Sequence, residues 1–297
     1  MSTQATSLHD DIRWRWISFS PALVIMLVLS VLPVANLVAM SFFKITWAEG
    51  RSTWAPVGFA NYAALGEDPL YRASLGNTVL FAAVSVTVQM ILGFALALLC
   101  SKALRARALY RMIFILPILI PGIVVGAIWK LILNADFGLV NQILELVALD
   151  PVDWLGEPSI ALLSVVIVDV WHWTPFCFLL LLASLESLPQ DIYESAKIDG
   201  ASGWQEIASI TLPLMLPAIL VTAAFRLIVA FKVFDEVYLL TSGGPGTSTE
   251  VMSFTIYQRF FTEDRAGYGA AMSIAVIFLV ALILVLSMSM RRKQAVT

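Results

Sequence analysis

The stretch that decides the fold is "ESAKIDGASGWQEIASITLPLMLP", residues 194–217, a polar interruption between two long apolar runs. Gly200 and Pro213 punctuate it, since glycine commonly follows the C-terminus of a helix and proline is tolerated in a first turn. Ser202 followed by Gln205 has the spacing of a capping box. The stretch therefore predicts two short helices that turn at Gly200, and a long apolar helix that starts near Pro213.

The composition of the whole chain indicates a membrane protein. Of its 297 residues 60% are hydrophobic and only 13% are charged, whereas soluble domains carry about 25% charged residues. A helix needs about 20 mostly apolar residues to cross a bilayer. Six runs are long enough: 17–41, 76–100, 111–133, 159–185, 213–240 and 268–290. We expect an all-α integral membrane protein with a six-helix transmembrane domain at 17–290 and tails at 1–16 and 291–297.

The basic residues predict the orientation of these spans, because Lys and Arg collect on the cytoplasmic side. With the N-terminus inside, ten basic residues fall on the inner side and five in outer loops. The inner set is Arg13, Arg15, Lys102, Arg105, Arg107, Arg111, Lys197, Arg291, Arg292 and Lys293, and the outer set is Lys44, Arg51, Arg72, Arg259 and Arg265. Both termini and the loop at 187–212 are therefore expected on the cytoplasmic side of the membrane.

Prolines and glycines predict an irregular third span. Pro117 and Pro121, followed by Gly122 and Gly126, fall within the apolar run at 111–133. Broken helices are tolerated at membrane depth only where neighbouring protein or a cavity satisfies the freed backbone groups. We therefore expect this span to be bent and to lie against other helices.

The chain carries no recognisable motif for catalysis or for binding phosphate or metal. G-x-x-x-x-G-K-[ST] is absent, and the glycine-rich "SGGPGTST" at 242–249 has no lysine. His9 and His172 are the only histidines, and Cys100 and Cys177 lie in apolar runs, so neither a metal site nor a disulfide framework is expected. The net charge of −3 suggests no nucleic-acid partner. The chain is not expected to be an enzyme, and any ATP would be hydrolysed by another polypeptide.

The charges of the loop at 187–212 favour a protein partner over lipid. A helix that rests on anionic lipid usually carries Lys and Arg on its polar face. This loop instead has Glu194, Asp199 and Glu206 against Lys197 alone. An amphipathic connector that rests on lipid stays open as the second interpretation.

Several motifs together resemble one known family. The pattern E-S-A-x3-G-x9-I-x-L-P resembles the EAA loop of permease subunits of binding-protein-dependent ABC importers. The matching positions are Glu194, Ser195, Ala196, Gly200, Ile210, Leu212 and Pro213, with Ser195 where the family more often has alanine. Four further segments resemble its carbohydrate branch, which includes maltose-type and glycerol-phosphate-type permeases: "FGLVN" at 137–141, "DWLGEPSIAL" at 153–162, "DVWHWTPF" at 169–176 and "LLTSGGPGTSTE" at 239–250.

The resemblance implies a type I ABC importer permease fold in the inner membrane of a bacterial cell, and import of a carbohydrate or related polyol by alternating access. In that family the loop is a coupling helix that docks into a cytoplasmic ATPase, with Glu194 and Gly200 at its centre and Asp199 among the coupling residues. The implied partners are a second homologous permease, two ATPase subunits that bind ATP and Mg²⁺, an extracytoplasmic binding protein and a sugar-like solute. This chain is itself expected to bind no cofactor and no metal.

Ionisable and aromatic residues within the spans predict a solute path. One helix face carries four of them by i, i+3, i+4, i+7 spacing: Asp169, His172, Trp173 and Phe176. Arg226 lies near the middle of the next span, where a charge is a functional hypothesis by default. An ion pair between Asp169 and Arg226 is an equally favoured interpretation, and a proton relay is less favoured. An unpaired Arg226 would also suit an anionic solute.

The outer ends of the spans supply candidates for a gate or for docking of the binding protein. Lys232 and Glu236 are four residues apart, which favours a local ion pair and leaves an outer gate as the alternative. A tight outer turn and the segment before it add four residues near the expected docking surface: Gly243, Gly244, Pro245 and Asn141.

Two other function classes are weaker. An ion-coupled secondary transporter would work without an ATPase, but it predicts an inverted repeat with broken helices at matching positions. No convincing repeat is present, and the polar loop occurs once. A membrane-embedded enzyme would need a catalytic constellation, which the sequence does not provide.

Overall fold

The computed structural model describes residues 3–48, 50–101 and 107–294. Lys102 and Arg105 of the inner basic set lie outside these ranges, as do the first two residues of the predicted tail 1–16 and the last three of the tail 291–297. The described chain divides into two compact units. One contains the residues up to Glu67 together with Ile256–Ile277, and the other contains Asp68–Thr255 and the residues from Phe278.

The elements are almost all helical. In chain order they are α1 (Thr3–Ser41), β1 (Phe43–Ala48), β2 (Arg51–Pro56), α2 (Ala60–Glu67), α3 (Pro69–Ser101), α4 (Arg107–Ile115), α5 (Gly122–Ile132), α6 (Leu139–Leu146), α7 (Ala161–Glu186), α8 (Gln190–Ile198), α9 (Gly203–Glu206), α10 (Leu212–Ala230), α11 (Asp235–Leu240), α12 (Met252–Tyr257) and α13 (Ala266–Gln294). A 3₁₀ turn follows α4, and π-helical turns follow α9 and α12.

Within the described residues, five helices are long and apolar enough to cross a membrane. They are Trp16–Ser41, Pro69–Ser101, Ala161–Glu186, Gly203–Ala230 and Ala266–Val285. A sixth candidate is the bent pair Leu109–Leu119 and Gly122–Ile132, whose two halves meet at 95°. These six segments overlap the six apolar runs of the sequence, and the bend falls in the run that prolines and glycines interrupt.

In the first unit, the end of α1 is joined to a short antiparallel hairpin. Phe43 lies opposite Pro56 in β1 and β2. Asn61 Nδ2 donates to the carbonyl oxygens of Ser41 at 2.8 Å and of Phe43 at 3.1 Å. These bonds satisfy backbone groups that the turn from helix to strand leaves without partners.

In the second unit, the core lies where α3, α7 and α10 pack together. α7 is the central helix, because 61% of its most apolar 18-residue stretch is buried, whereas the corresponding value for α3 is 33%. The two helices approach closely at Gly93, where an added Cβ would lie 2.8 Å from the Cβ of Cys177 and 2.9 Å from the backbone nitrogen of Phe178. Glycine therefore sets the distance between these two helices.

The bend in the third span leaves a backbone carbonyl free for the site. Residues 116–119 form the 3₁₀ turn, Pro121 has φ −57° and ψ 139°, and α5 begins at Gly122. A Cβ at Gly122 would lie 2.8 Å from Asp235 Oδ2, so glycine lets the start of α5 approach that carboxylate closely. The carbonyl of Ile120, just before the bend, accepts no helical hydrogen bond and is taken by a side chain described below.

The fifth apolar run is helical over less of its length than predicted. α10 ends at Ala230, residues 231–234 are not helical, and α11 begins at Asp235. Lys232 and Glu236 are therefore not on one helical turn, and the predicted ion pair between them is wrong. Lys232 is exposed, whereas Glu236 is only 5% exposed and faces His172.

Candidate solute path and coupling loop

Three spans are joined inside the second unit by Gln89, Asp169 and Arg226, which we call the interior clamp. Arg226 Nε donates to Gln89 Oε1 at 2.7 Å, and Arg226 Nη2 donates to Asp169 Oδ2 at 2.5 Å. Gln89 Nε2 donates to the same carboxylate oxygen at 2.8 Å and to the Asp169 carbonyl at 3.0 Å. None of the three residues is more than 1% exposed. Arg226 is thus paired, and the unpaired state that an anion receptor requires is not found.

The clamp is nearly saturated with hydrogen bonds. A buried ion pair is tolerated when further hydrogen bonds satisfy its remaining donors and acceptors. Gln89 provides them, because its amide accepts from the guanidinium and donates to the carboxylate. The ring of Trp173 lies 4.9 Å from Arg226 Cζ and adds a cation–π contact. Within the described residues, Arg226 Nη1 alone of the clamp's buried polar atoms has no partner.

A cavity of about 280 Å³ lies beside the clamp. This volume is near the lower end of small-molecule pockets, about 300 Å³. Trp173 contributes an aromatic wall, and six ionisable side chains contribute the rest of its polar lining: Asp169, His172, Arg226, Lys232, Asp235 and Glu236. The arrangement of two aromatic rings, Trp173 and Phe234, among many hydrogen-bonding groups suits a polyhydroxy solute, whose C–H faces stack on rings while its hydroxyls donate and accept.

His172 ties the bent span to α11 across the cavity. Its Nε2 lies 3.1 Å from the carbonyl oxygen of Ile120, and its Nδ1 lies 3.2 Å from Glu236 Oε1. A carbonyl oxygen only accepts, so Nε2 carries the hydrogen of that bond. The imidazole thereby supplies the partner that the broken span needs at membrane depth.

The last predicted path residue on α7 does not line the cavity. Phe176 stacks on Phe225 of α10, with ring centroids 5.0 Å apart and planes at 28°. Trp173 does line the cavity, and its ring centroid lies 6.2 Å from that of Phe176. Phe176 thus supports the packing of α7 on α10, and its expected contact with solute stays a prediction.

Asn141 lies inside its loop rather than on the outer surface. Its Nδ2 donates to the carbonyl oxygens of Ala135 and Val152, each at 2.9 Å. Its Oδ1 accepts from the Val152 amide at 3.1 Å and from Trp154 Nε1 at 2.9 Å. With 2% exposure it offers little surface for docking. Its expected contact with a binding protein is corrected to a role in holding the loop from α5 to α7.

The outer turn after α11 is compact. Gly243 has φ +84°, and a Cβ there would lie 2.1 Å from Glu250 Oε2. Asn77 Nδ2 donates to the Glu250 carbonyl at 2.9 Å and fixes the turn to α3. Gly244 and Pro245 are partly exposed at its tip and are joined by a cis peptide bond.

The turn in the loop at 187–212 forms as its glycine predicts. Gly200 has φ +78°, its amide donates to the Lys197 carbonyl at 3.1 Å, and the Ala201 amide donates to the Ala196 carbonyl at 2.9 Å. This is the Schellman arrangement, in which the left-handed residue is usually glycine. Ser202 then opens α9 with the capping box that the sequence predicts.

We call residues 187–212 the coupling loop, after the role implied by its sequence. Its exposed surface combines carboxylates and large apolar side chains. Ile198 is 87% exposed and Trp204 is 73% exposed, whereas Ala196 is buried. Glu194 and Asp199 are also exposed, and neither forms a salt bridge within the described ranges. These exposed apolar side chains make the loop a candidate surface for a partner.

A hydrogen bond that the sequence did not indicate braces the coupling loop. Tyr193 OH donates to Thr211 Oγ1 at 3.0 Å, because Thr211 Oγ1 itself donates to the Glu206 carbonyl at 3.1 Å. The π-helical turn Ile207–Thr211 leads directly into α10. The first helix of the loop is thus tied to the start of a span that carries a clamp residue. Ile210, Leu212 and Pro213 all belong to this re-entry.

Six candidate spans, a polar cavity and a braced loop between two spans define a multi-pass transport permease. The profile of the family described as "Binding-protein-dependent transport system inner membrane component" matches residues 89–294. The chain belongs to this family. It is 38% identical over 273 residues to the trehalose/maltose transport system permease protein MalF of Thermococcus litoralis, which covers 92% of this chain and 91% of that one.

Other relatives and solved structures agree. The chain is 32% identical over 273 residues to the sulfoquinovosyl glycerol transport system permease protein SmoG of Agrobacterium fabrum, with 88% of each chain covered. A bacterial ABC transporter that imports the acidic polysaccharide alginate matches with a TM-score of 0.83 and 26% identity, over 97% of this chain and 99% of that one. The predicted fold class, the inner-membrane localisation and the importer-permease function are confirmed, and an ion-coupled transporter is not favoured.

Proposed function

We propose that this protein is the transmembrane subunit of an ATP-driven importer for a sugar or a related polyol. The observation that carries this proposal is that the coupling loop joins α7 and α10, the two helices that also line the cavity. A loop in this position can pass a movement at the membrane surface to a solute path in the interior. The names of the relatives support a sugar-like solute.

The partner proposed for the loop is a separate cytoplasmic ATPase. Ile198 and Trp204 would enter an apolar cleft, while Glu194 and Asp199 would pair with basic residues at its rim. The full assembly would contain a second homologous permease and two ATPase subunits that hold ATP and Mg²⁺, so that this chain holds no cofactor and does not hydrolyse ATP. In this proposal both termini are cytoplasmic, and an extracytoplasmic binding protein delivers the solute near Gly244 and Pro245.

The proposed mechanism is alternating access. Closure of the ATPase dimer on ATP would move the coupling loop and change the angle between α7 and α10. The cavity beside the interior clamp would then open toward the outside and receive solute. The contact of His172 with Glu236 and the Ile120 carbonyl spans the cavity, so it would have to open or shift for solute to pass.

Affinity purification in mild detergent tests the proposal. The wild-type protein should bring down a second permease and an ATPase, with ATP hydrolysis stimulated by the binding protein and its sugar. The double variant Ile198→Ala, Trp204→Ala should keep the permease and lose the ATPase, because both side chains are exposed and contribute little to the fold. Leu146→Ala, at a residue 85% exposed outside the loop, is the matched control. Recovery of the wild-type chain alone, with transport that follows an ion gradient and ignores ATP, would refute the proposal.

A further inference from the structure

We infer that the cavity beside the interior clamp takes an uncharged polyhydroxy solute and excludes anionic ones. The inference rests on the proposed function and adds the charge of the solute. Family membership does not decide this point, since a trehalose/maltose permease and an importer of an acidic polysaccharide are both similar to this chain. The charges on the cavity wall do decide it.

The guanidinium in the wall is already neutralised. Arg226 Nη2 lies 2.5 Å from Asp169 Oδ2, and Arg226 Nε lies 2.7 Å from Gln89 Oε1. Arg226 Nη1 has no partner within the described residues and can donate to a solute, but the charge of the guanidinium is balanced by Asp169 unless an anion displaces that carboxylate. The displaced carboxylate would stay buried without its partner, which is strongly unfavourable. Arg226 is therefore a structural cation and not a receptor for an anion.

The remaining charges leave no surplus of positive charge. Asp235 and Glu236 face the cavity with a single further cation, Lys232. Together with the clamp the wall thus has three acidic groups and two permanent cations. His172 and Glu236 share a further proton, because Nε2 donates to the Ile120 carbonyl and the Nδ1 contact with Glu236 needs a proton as well, so this pair carries no net charge. An anion that left water for this cavity would find Lys232 as the one cation of the lining outside the clamp and would share it with the carboxylate of Asp235, whereas burying a charge is tolerable only beside an uncompensated opposite charge. Hydroxyl groups can donate to the carboxylates and accept from the ammonium, so an uncharged polyol meets no such penalty.

Charged and uncharged thiol reagents test the cavity without knowledge of the solute. Val229→Cys places a thiol in the cavity wall, and Thr247→Cys places one at the exposed outer turn as a reference. The native Cys100 and Cys177 are 2% and 0% exposed and give the background rate in the wild type. The whole purified complex is treated with hydroxyethyl methanethiosulfonate, which is neutral, and with sulfonatoethyl methanethiosulfonate, which is anionic. We expect the neutral-to-anionic rate ratio to be about tenfold higher at Val229→Cys than at Thr247→Cys.

Removal of wall carboxylates provides the second arm. Asp235→Asn together with Glu236→Gln, in the Val229→Cys background, should bring the ratio several-fold closer to that of the reference. Asp235→Asn alone should lower it in the same direction and serves if the double variant is not recovered. Glu145→Gln, which removes an exposed carboxylate outside the cavity, should leave the ratio unchanged.

The outcomes separate this inference from the proposed function. Equal ratios at the two thiols, a faster anionic reagent, or no labelling of Val229→Cys by either reagent would overturn the inference. Sugar-stimulated ATP hydrolysis combined with equal ratios would refute the inference alone. Exclusion of the anionic reagent in a complex whose ATP hydrolysis ignores every sugar and binding protein would refute the proposed function instead.

Discussion

The interior clamp and the coupling loop treat polar side chains in opposite ways. In the clamp, Gln89, Asp169 and Arg226 are at most 1% exposed and bond to one another. In the loop, exposed carboxylates form no salt bridge within the described residues, and large apolar side chains are exposed to solvent. Charges inside a membrane are expensive and must be satisfied internally, whereas exposed groups cost little and are available to a partner. The stability of the helix packing and the binding of a partner are therefore expected to depend on different residues.

The largest change in stability is expected when the cation of the interior clamp is removed. Arg226→Met would leave Asp169 buried without its partner, which costs about 3–5 kcal/mol of the free energy of unfolding. We expect a marked loss of monodisperse protein and a lower unfolding midpoint in detergent. Arg72→Met, at an exposed residue of α3, should leave both unchanged.

A double variant shows whether the loss arises from the unpaired charge. Asp169→Leu combined with Arg226→Met removes both charges and should recover much of the stability, because apolar replacements of buried pairs are often neutral. If Arg226→Met alone unfolds like the wild type, the clamp contributes nothing to the packing of the three spans.

The next largest change in stability is expected at two glycines of the outer turn, Gly243 and Gly246. Gly243→Ala would place a Cβ 2.1 Å from Glu250 Oε2 at φ +84°, so it combines a clash with backbone strain. We expect about 2–4 kcal/mol of destabilisation from the two effects together. Gly246→Ala, at φ +62° with nothing within 4 Å, should cost only about 1–2 kcal/mol. Chemical denaturation of both variants measures the difference, and equal losses would contradict the close contact.

A smaller effect on stability is expected at the turn of the coupling loop. Gly200→Ala has φ +78° but open space around the new Cβ, so it should cost about 1–2 kcal/mol locally. The main result should be weaker coupling, measured as a lower stimulation of ATP hydrolysis by the binding protein. Gly203→Ala, at the first position of α9 and also in open space, is the control and should keep full stimulation.

The smallest change in stability is expected for the exposed apolar pair. Ile198→Ala and Trp204→Ala should leave the free energy of unfolding within about 0.5 kcal/mol of the wild type, as is usual for surface substitutions. Unfolding of the isolated chain measures this value. A larger loss would mean that these side chains support the fold, and the contrast between the loop and the clamp would fail.

Local patterns predicted the features that depend on neighbouring residues in the sequence. Hydropathy indicated the spans, the prolines indicated the bend in the third one, and Gly200 and Ser202 marked the turn and the cap of the coupling loop. Each of these signals acts within a few residues or along one helix. They therefore appear in the sequence without knowledge of the tertiary contacts.

The pairing of side chains in the site depends on tertiary packing, so it could not be predicted from local sequence patterns. Gln89 was missed, although a glutamine in an apolar run is a signal for a bond between helices, because its partner Arg226 is 137 residues away. The predicted pair of Lys232 with Glu236 failed because α10 ends at Ala230 without a glycine or proline to mark the end. Glu236 instead finds His172, 64 residues earlier.

The bond between Tyr193 and Thr211 fixes the coupling loop to the start of α10, so that a movement of the loop can tilt this helix. The helix begins at Leu212, next to the braced loop, and it reaches Arg226 about 21 Å further on at 1.5 Å per residue. A tilt of about 10° would move one end by about 3–4 Å relative to the other over that length. This displacement exceeds the 2.5 and 2.7 Å lengths of the two hydrogen bonds of Arg226. The bonds of the interior clamp would therefore hold α10 in place until a sufficient force at the coupling loop breaks them.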